Sequence, residues 1–345
     1  MISVVVPTVG RPSLATLLAA LQPPDELIVV HDRPGSLPVR IPDAVAPVTR
    51  VVAGAGRGPA AARNTGWRAA TGEWVAFLDD DVVPAPTWLA DLRTDLAGTD
   101  AVAVQGRIDV PLPAERRPTD WERSTAGLAT ARWITADLAV RRSALVAVGG
   151  FDERFPRAYR EDADLAARLR AAGGVLRVGA RQVSHPVRAE SRLVSIGTQR
   201  GNADDALLRR RYGPRWRERL EIPPGRRRRH AVVAAAGALA LASTAPAIRS
   251  RPARAVAISA GLVWLAGTAE FAWRRIAPGP RTPGEVAAMV VTSAAIPPLA
   301  VAHWLRGWWR WRGVRSGPEA GDEFAQLLGR PGQLRDGVEG TARVP

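Results

Sequence analysis

The segment GAGRGPAAARNTGWRAATGEWVAFLDDDVVP, residues 54–84, contains a glycine-rich turn, a helix and an apolar strand that ends on three aspartates. The pattern predicts the helix over 59–70 and a buried strand over 74–78. Ligands of open α/β sheets bind beyond the carboxyl ends of the strands, and the aspartates at 79–81 come directly after such an end. The segment therefore predicts both a layer of the fold and the position of a ligand site.

Short apolar strands alternate with helices before this segment as well. We predict strands over 2–6, 27–30 and 48–53 and a helix over 13–21. This alternation indicates an α/β fold with a doubly wound, mostly parallel sheet. The first strand is not a signal peptide, because no basic region precedes it and its apolar run is five residues long.

The three aspartates Asp79, Asp80 and Asp81 repel one another, and such a cluster is costly unless a cation is bound. Oxygen ligands of this kind suit a hard divalent ion, Mn²⁺ or Mg²⁺. An acidic loop or a helix N-cap is the alternative interpretation. Arg63 and the backbone amides that open the helix before the strand suit a diphosphate.

A second acidic cluster lies in REDADLAARLRAAGG, residues 160–174. Glu161, Asp162 and Asp164 fall in the first turn of a predicted helix, where acids also complement the helix dipole. One of them is a candidate general base. His185, in VSHPVR after a strand predicted over 175–178, is either a structural histidine or a third metal ligand.

The composition excludes several classes of chemistry. The 345 residues include no cysteine and no lysine, which excludes disulfides, zinc knuckles, thiol nucleophiles, Schiff bases and Walker loops. The formal net charge is +15, and residues 226–317 alone carry 14 arginines against two glutamates. This basic stretch is also the apolar one, which favours a membrane partner over nucleic acid.

Three apolar runs lie in that stretch, and we predict helices over about 231–248, 255–272 and 286–305, the last broken at Pro297-Pro298. Each run is marginal for a membrane span, and a buried helical bundle is the alternative. Arginines at 226–229 and tryptophans near the ends of the runs are typical of membrane interfaces. They predict a multi-pass membrane protein with a cytoplasmic N-terminal domain, arranged as two spans plus a re-entrant segment at the prolines.

The chain is therefore expected to divide into three parts. Residues 1–222 would form the catalytic domain and 223–315 the membrane region, and the polar, glycine-rich residues 316–345 would be a disordered tail.

Taken together, PTVGRP, AARNTGWRAATGEWVAFLDDD, ITADLAVRRSALVAVGGFDERF and REDADLAARL resemble the family 2 glycosyltransferases of GT-A fold. The resemblance covers about residues 1–215. It implies inverting transfer of a sugar from a nucleotide-diphosphate donor to an acceptor hydroxyl, with a divalent metal as cofactor. With the membrane region, it implies a lipid-linked or cell-envelope glycan acceptor. The Q-x-x-R-W motif of processive synthases is absent after His185, so single-sugar addition is expected.

The resemblance also implies roles for individual residues. Asp162 would be the catalytic base, and Asp81 and His185 would bind the metal. Donor-nucleotide contacts would come from Pro7, Thr8, Arg11, Asp32, Arg63, Asn64, Asp79 and Asp80. The acceptor side would include Asp137, Gly150, Phe151, Asp152 and Glu161, although the family often has asparagine where this chain has Asp137.

Two alternatives remain open from the sequence. A membrane nucleotidyltransferase or a retaining transferase could use the same fold and metal cluster. A basic protein that binds anionic lipid or nucleic acid, with no catalysis, is the alternative from another class.

Overall fold

A mixed eight-stranded sheet with helices on both faces precedes three long helices in the computed structural model, which describes residues 1–35 and 38–314. The strands are β1 (Ile2–Thr8), β2 (Glu26–His31), β3 (Thr49–Ala53), β4 (Trp74–Leu78), β5 (Val83–Pro84), β6 (Ala103–Asp109), β7 (Asp137–Arg141) and β8 (Leu176–Ser184). The helices of the sheet-containing part are α1 (Ser13–Ala20), α2 (Pro59–Ala69), α3 (Trp88–Leu96), α4 (Asp120–Ala126), α5 (Arg142–Val148), α6 (Glu161–Ala171), α7 (Val194–Gly197), α8 (Asn202–Tyr212) and α9 (Trp216–Arg219). The remaining helices are α10 (Arg227–Ala242), α11 (Thr244–Ala247), α12 (Arg251–Ile276) and α13 (Pro283–Arg310).

The sheet has the strand order β3-β2-β1-β4-β7-β6-β8-β5. Strands β3, β2, β1 and β4 are parallel, as the alternation of strands and helices predicts. Strand β7 runs antiparallel to both of its neighbours, β4 and β6, so the second half of the sheet is mixed. The α/β prediction is confirmed, with a parallel half that carries the three aspartates.

The strands of the parallel half read as continuous apolar runs because both faces of the sheet are covered. Val4 and Val6 of β1 belong to one hydrophobic cluster, and Val5 between them belongs to the cluster on the opposite face. All five residues of β4 are buried. Strand β4 matches its prediction over 74–78, whereas β8 extends far beyond the predicted 175–178, because its polar and half-exposed residues do not form an apolar run.

A third hydrophobic cluster joins the sheet-containing part to the C-terminal helices. It contains Phe155, Leu207 and Trp216, and Trp311 and Val314 from beyond α13 pack against it. The boundary predicted at 222/223 therefore lies inside a shared core.

The helical region differs from its prediction at two points. The first helix ends at Ala242 and is followed by the short α11, whereas one helix was expected over 231–248. Helix α13 continues through Pro297 and Pro298, so the predicted break at these prolines is wrong. A proline inside a helix removes a backbone donor, but Ile296 and Pro297 lie on a buried face that packing holds in place.

Helices α12 and α13 are long and apolar enough to cross a membrane by length and composition. In the most apolar 18-residue stretch of each helix, 17% is buried in α12 and 39% in α13. One face of α13 is buried at Met289, Thr292, Ile296 and Gly307, the last against Ala203 of α8. Helix α13 is thus seated on the sheet-containing part, and α12 is largely free of it. The expectation for 316–345 lies outside the described residues.

Candidate active site

The carboxyl ends of β1 and β4 open into one cavity of about 880 Å³. Most of the site residues predicted from the sequence line it, namely Pro7, Thr8, Arg11, Asp32, Arg63, Asp79, Asp80, Asp81, Glu161, Asp162 and His185. Two acidic clusters that are about eighty residues apart in the chain therefore share one cavity. Asn64, Asp137, Gly150, Phe151 and Asp152 do not line it.

Asp79 and Asp80 are each held by a different arginine. Asp79 Oδ1 lies 2.6 Å from an Arg63 terminal nitrogen, and Asp80 Oδ1 lies 2.8 Å from one of Arg11. Asp80 Oδ2 also accepts a hydrogen bond of 2.6 Å from the Thr8 hydroxyl. Asp80 is buried and is thereby fixed to the end of β1.

Asp81 faces His185 and Arg188. The His185 Nε2 atom lies 3.5 Å from Asp81 Oδ1, and Arg188 Nε lies 3.2 Å from Oδ2. Burial, and then the neighbouring Asp79, raises the pKa of Asp81, while His185 and Arg188 oppose this. Arg188 was missed by the sequence reasoning, although it lies three residues after His185 in the same VSHPVR motif.

A carboxylate oxygen and an imidazole nitrogen that converge in this way fit a divalent ion that takes its other ligands from phosphate oxygens. Among residues 1–35 and 38–314, no group of three or more histidine, aspartate or glutamate side chains is arranged to bind a metal ion by itself. The donor set is thus sufficient only when a ligand completes it. The Nδ1 atom of His185 is buried without a hydrogen-bond partner among the described residues.

Arg63 links the two acidic clusters. It is 1% exposed and donates to Glu161 Oε1 at 2.8 Å from one terminal nitrogen and to Asp79 at 2.6 Å from the other. Burial raises the pKa of Glu161, as does the adjacent Asp162, and Arg63 opposes both effects. The ion pairs with Asp79 and Glu161 raise the pKa of Arg63, so the guanidinium stays charged.

Asp162 is the second residue of α6 and lines the cavity. Its Oδ1 atom accepts a hydrogen bond of 2.7 Å from the backbone N–H of Ala163. Arg160 before it is in the left-handed region with φ of 80°, which turns the chain into the helix. Burial raises the pKa of Asp162, and Ala163, Arg63 and Arg160 counter it. A carboxylate with a raised pKa at a cavity wall is a suitable proton acceptor.

Asp32 holds the glycine-rich turn. Its two oxygens accept from the backbone N–H groups of Gly56 and Gly58, at 2.7 and 3.0 Å. Gly58 has φ of 96°, and a Cβ there would lie 2.5 Å from the Pro156 carbonyl oxygen, so glycine is required. The turn that begins α2 is therefore fixed in position beside the cavity.

Asn64 is buried and is not among the residues that line the cavity, and its donor-binding role stays a prediction. Its side-chain oxygen accepts from the Phe151 N–H at 2.8 Å, and its side-chain nitrogen donates to the Phe151 carbonyl at 2.8 Å. Phe151 is itself buried against Phe77. Asn64 positions the loop that carries Gly150 and Phe151, so neither residue is exposed to an acceptor.

Asp137 and Asp152 also have structural roles. Asp137 is completely buried and bonds Arg181 Nε and Trp88 Nε1, both at 2.8 Å. Asp152 pairs with Arg154 and Arg211. Their carboxylates are paired with these partners, and the acceptor-side role of each stays a prediction.

The comparison with family models matches residues 3–141 to "Glycosyl transferase family 2". Residues 3–141, less than half of the chain, are therefore similar to this family. The matched segment contains β1 to β4, the three aspartates and Arg63. Its mixed sheet has the GT-A fold, and the second acidic cluster lies beyond the matched residues.

Among curated proteins, the "Pre-mycofactocin glycosyltransferase" of Mycobacterium tuberculosis, strains CDC 1551 / Oshkosh and H37Rv, is similar to this chain. It is 37% identical over 134 residues, which is 35% of this chain and 28% of the relative. The match thus spans less than a third of the relative.

Two solved structures are similar over most of the chain. A mannosyltransferase from Pyrobaculum calidifontis in complex with GDP-Man and Mn²⁺ is 18% identical, with a TM-score of 0.48, over 90% of this chain and 87% of that one. TarS of S. aureus in complex with UDP-GlcNAc is 14% identical, with a TM-score of 0.40, over 91% and 92%.

Proposed function

We propose that this protein is an inverting, metal-dependent glycosyltransferase that moves one sugar from a nucleotide-diphosphate donor to an acceptor hydroxyl. The observation that carries the proposal is the cavity in which Asp81 with His185 and Asp162 occur together, next to a family 2 sequence. A single displacement needs a proton acceptor on one side of the sugar and charge stabilisation of the leaving group on the other.

Asp162 is the proposed base. It would accept the proton of the acceptor hydroxyl as that oxygen attacks the anomeric carbon, and its raised pKa keeps it basic enough for the task. The bond between the anomeric carbon and the diphosphate breaks in the same step, with inversion at that carbon. Glu161 is the next candidate, because Arg63 holds one of its oxygens and the other has no hydrogen-bond partner among the described residues.

Asp81 and His185 would hold a divalent ion, Mn²⁺ or Mg²⁺, together with the donor phosphates. When bound, this ion supplies positive charge to the leaving nucleotide diphosphate. Arg11 and Arg63 add fixed positive charge to the same wall of the cavity. Asp32, Thr8 and Pro7 would contact the nucleoside, at the turn that Asp32 holds in place.

We also propose that the protein is attached to a membrane, with the catalytic part, 1–222, in the cytoplasm and helices 223–314 at the bilayer. The exposed apolar side chains of α12, including Ile258, Leu262 and Leu265, support this attachment. A multi-pass topology requires α13 to cross as well, and its face against α8 would then have to stay covered by protein. A lipid-linked or cell-envelope glycan acceptor, glycosylated once and not processively, follows from this location.

Two substitutions test the proposal on the detergent-solubilised full chain, screened against UDP- and GDP-linked sugars with Mn²⁺. Asp162→Asn is expected to lower transfer by about 10²- to 10⁴-fold and to leave donor affinity unchanged. Asp81→Asn is expected to weaken metal-dependent donor binding as well. Asp137→Asn is the control, since that carboxylate is buried outside the cavity.

The product distinguishes this reaction from its alternatives. NMR of the glycoside should show the anomer opposite to that of the donor. A retained anomer would assign a retaining mechanism, and release of pyrophosphate would assign nucleotidyl transfer. If Asp162→Asn keeps most of the transfer rate, Asp162 is only a helix-dipole acid and the mechanism is wrong.

A further inference from the structure

The cavity of the active site extends from the acidic clusters to the helical region. Its lining includes Phe271 of α12 and Ile296 of α13, and at this end four arginines, Arg157, Arg217, Arg226 and Arg227, with a single aspartate, Asp205. This end was not identified from the sequence, where 226–229 was interpreted only as a membrane flank. We call it the basic end.

A chain of ion pairs connects the basic end to the candidate base. Arg160, two residues before Asp162, donates to Asp205 at 2.9 Å. Asp205 also accepts from Arg217 at 2.6 Å. The single aspartate at this end is thus already shared by two arginines.

Arg227 has no partner of opposite charge among the described residues, and its guanidinium lies 4.0 Å from the centre of the Trp304 ring. Burial, and then repulsion from Arg209, Arg217 and Arg228, lowers its pKa. Arg226 pairs with Glu270, yet its Nε atom is buried without a hydrogen-bond partner. Cations packed in this way are stabilised by an anion.

An apolar groove of about 370 Å³ adjoins the basic end. Val232 and Val233 of α10 and Val263 and Gly267 of α12 line it, and so do the charged residues Arg228, Arg229 and Glu270. The groove and the catalytic cavity share Arg226, His230 and Phe271. The arginines thus lie between an apolar groove and the catalytic carboxylates. This order suits a molecule in which a lipid chain, an anionic group and a polar end follow one another.

We propose that the basic end binds the phosphate or diphosphate of a lipid-linked acceptor. The lipid chain lies in the groove between α10 and α12, and the glycan beyond the phosphate extends toward Asp162. This inference rests on the proposed function, and it defines the acceptor as a phosphate-bearing lipid with a short head. A soluble glycan acceptor would have no use for the groove.

The test measures binding of three probes to the full chain in an uncharged detergent by titration calorimetry. Dodecyl phosphate carries both the lipid chain and the phosphate, dodecanol lacks the phosphate, and inorganic phosphate lacks the chain. We expect dodecyl phosphate to bind far more tightly than the other two. Equal binding of dodecanol would overturn the phosphate site, and equal binding of inorganic phosphate would overturn the lipid-linked source.

Arg227→Gln is expected to weaken dodecyl phosphate binding by about ten- to a hundredfold, since one charged contact is lost. Arg249→Gln is the matched control, because it makes the same charge change on an exposed arginine of the helical region that lines neither the cavity nor the groove. It should change the affinity by less than about twofold, within the range of an exposed charge. Equal effects of the two substitutions would overturn the site.

Folding and donor binding are measured separately. Arg227→Gln should not lower the thermal midpoint of the free protein, since it removes a cation from among other cations, and Arg227→Lys should retain binding. Mn²⁺-dependent binding of nucleotide sugar should be unchanged in each variant. If the wild type binds no nucleotide sugar, the proposed glycosyltransferase function is refuted. If it binds nucleotide sugar, but its binding of dodecyl phosphate does not depend on Arg227, only the acceptor site is refuted.

Discussion

Arg63→Met is expected to lower the free energy of unfolding by about 3–5 kcal/mol at pH 9, the usual cost of leaving one partner of a buried ion pair alone. Arg63 is the only cation within 4 Å of Glu161 in the described chain, and Glu161 is 2% exposed. Its loss also frees Asp79, which Arg63 holds at 2.6 Å, and leaves Asp162 beside an uncompensated neighbour. Methionine keeps the volume of the side chain, so the electrostatic contribution dominates.

Glu161→Gln is the matched comparison. Glutamine keeps a carbonyl oxygen for Arg63 to donate to, and Arg63 keeps its ion pair with Asp79. We therefore expect a smaller cost, about 1–3 kcal/mol. If one cation is shared by two acids, Arg63→Met should lower the free energy of unfolding more than Glu161→Gln does.

The cost of Arg63→Met should also depend on pH, with a defined sign. Without Arg63 the folded-state pKa of Glu161 rises further above its unfolded value of about 4.3, so the folded protein binds this proton more tightly than the unfolded chain. Burial already raises the pKa of Glu161 to about 8 in the wild type, so up to about pH 7 both folded proteins bind this proton and the deficit stays constant. Above pH 8 the wild type loses the proton before Arg63→Met does, and the deficit grows.

Urea titrations of the detergent-solubilised chain, followed by tryptophan fluorescence at pH 6 and pH 9, measure these differences. Two results would refute the reasoning: a deficit for Arg63→Met that is the same at both pH values, or one no larger than that of Glu161→Gln.

Three further predictions concern other parts of the molecule. Asp137→Asn should lower the free energy of unfolding by about 1–3 kcal/mol in the same titrations and leave the donor affinity measured by calorimetry unchanged. A loss of donor affinity without a loss of stability would instead support a role for Asp137 in ligand binding. Because burial raises the pKa of Asp162, the transfer rate should fall on acidification at a pH above the ordinary aspartate pKa of about 3.9; a rate that stays constant down to pH 4 contradicts the assignment. Gly307→Leu should cost about 1–3 kcal/mol in thermal scans, because a Cβ there lies 2.6 Å from the Ala203 backbone. Gly313→Leu is its control, because no atom of the described residues lies within 4 Å of a Cβ placed there. Equal decreases in the thermal midpoint would exclude specific packing of α13 against α8.

Residues that follow buried strands were the most predictable part of the site. The apolar run of β4 fixes the position of the three aspartates, and their location at a sheet edge follows from chain geometry alone. Asp162 was predictable in position, because a helix start with two acids is visible in the sequence, but its presence in the same cavity as Asp81 depends on tertiary packing.

The predicted site residues that do not line the cavity have side chains whose partners are distant in sequence. Asn64 reaches Phe151 across 87 residues, and Asp137 reaches Trp88 and Arg181 across 49 and 44. A motif match cannot distinguish a polar side chain at a ligand from one that supports a nearby loop. The continuous α13 was missed for a similar reason, because the packing around Pro297 overrides a local helix-breaking signal.

The third hydrophobic cluster determines which helices unfold together. Trp216 and Leu207 before residue 222 share a core with Trp311 and Val314 after α13, so the last helix and α8 protect one another from solvent. Elements that share a core open as one cooperative unit. Amide protons of α8 and α13 should then exchange with deuterium at a common rate. Replacing the C-terminal helices by another membrane anchor would require repacking of the cluster under α8, the helix that carries Asp205.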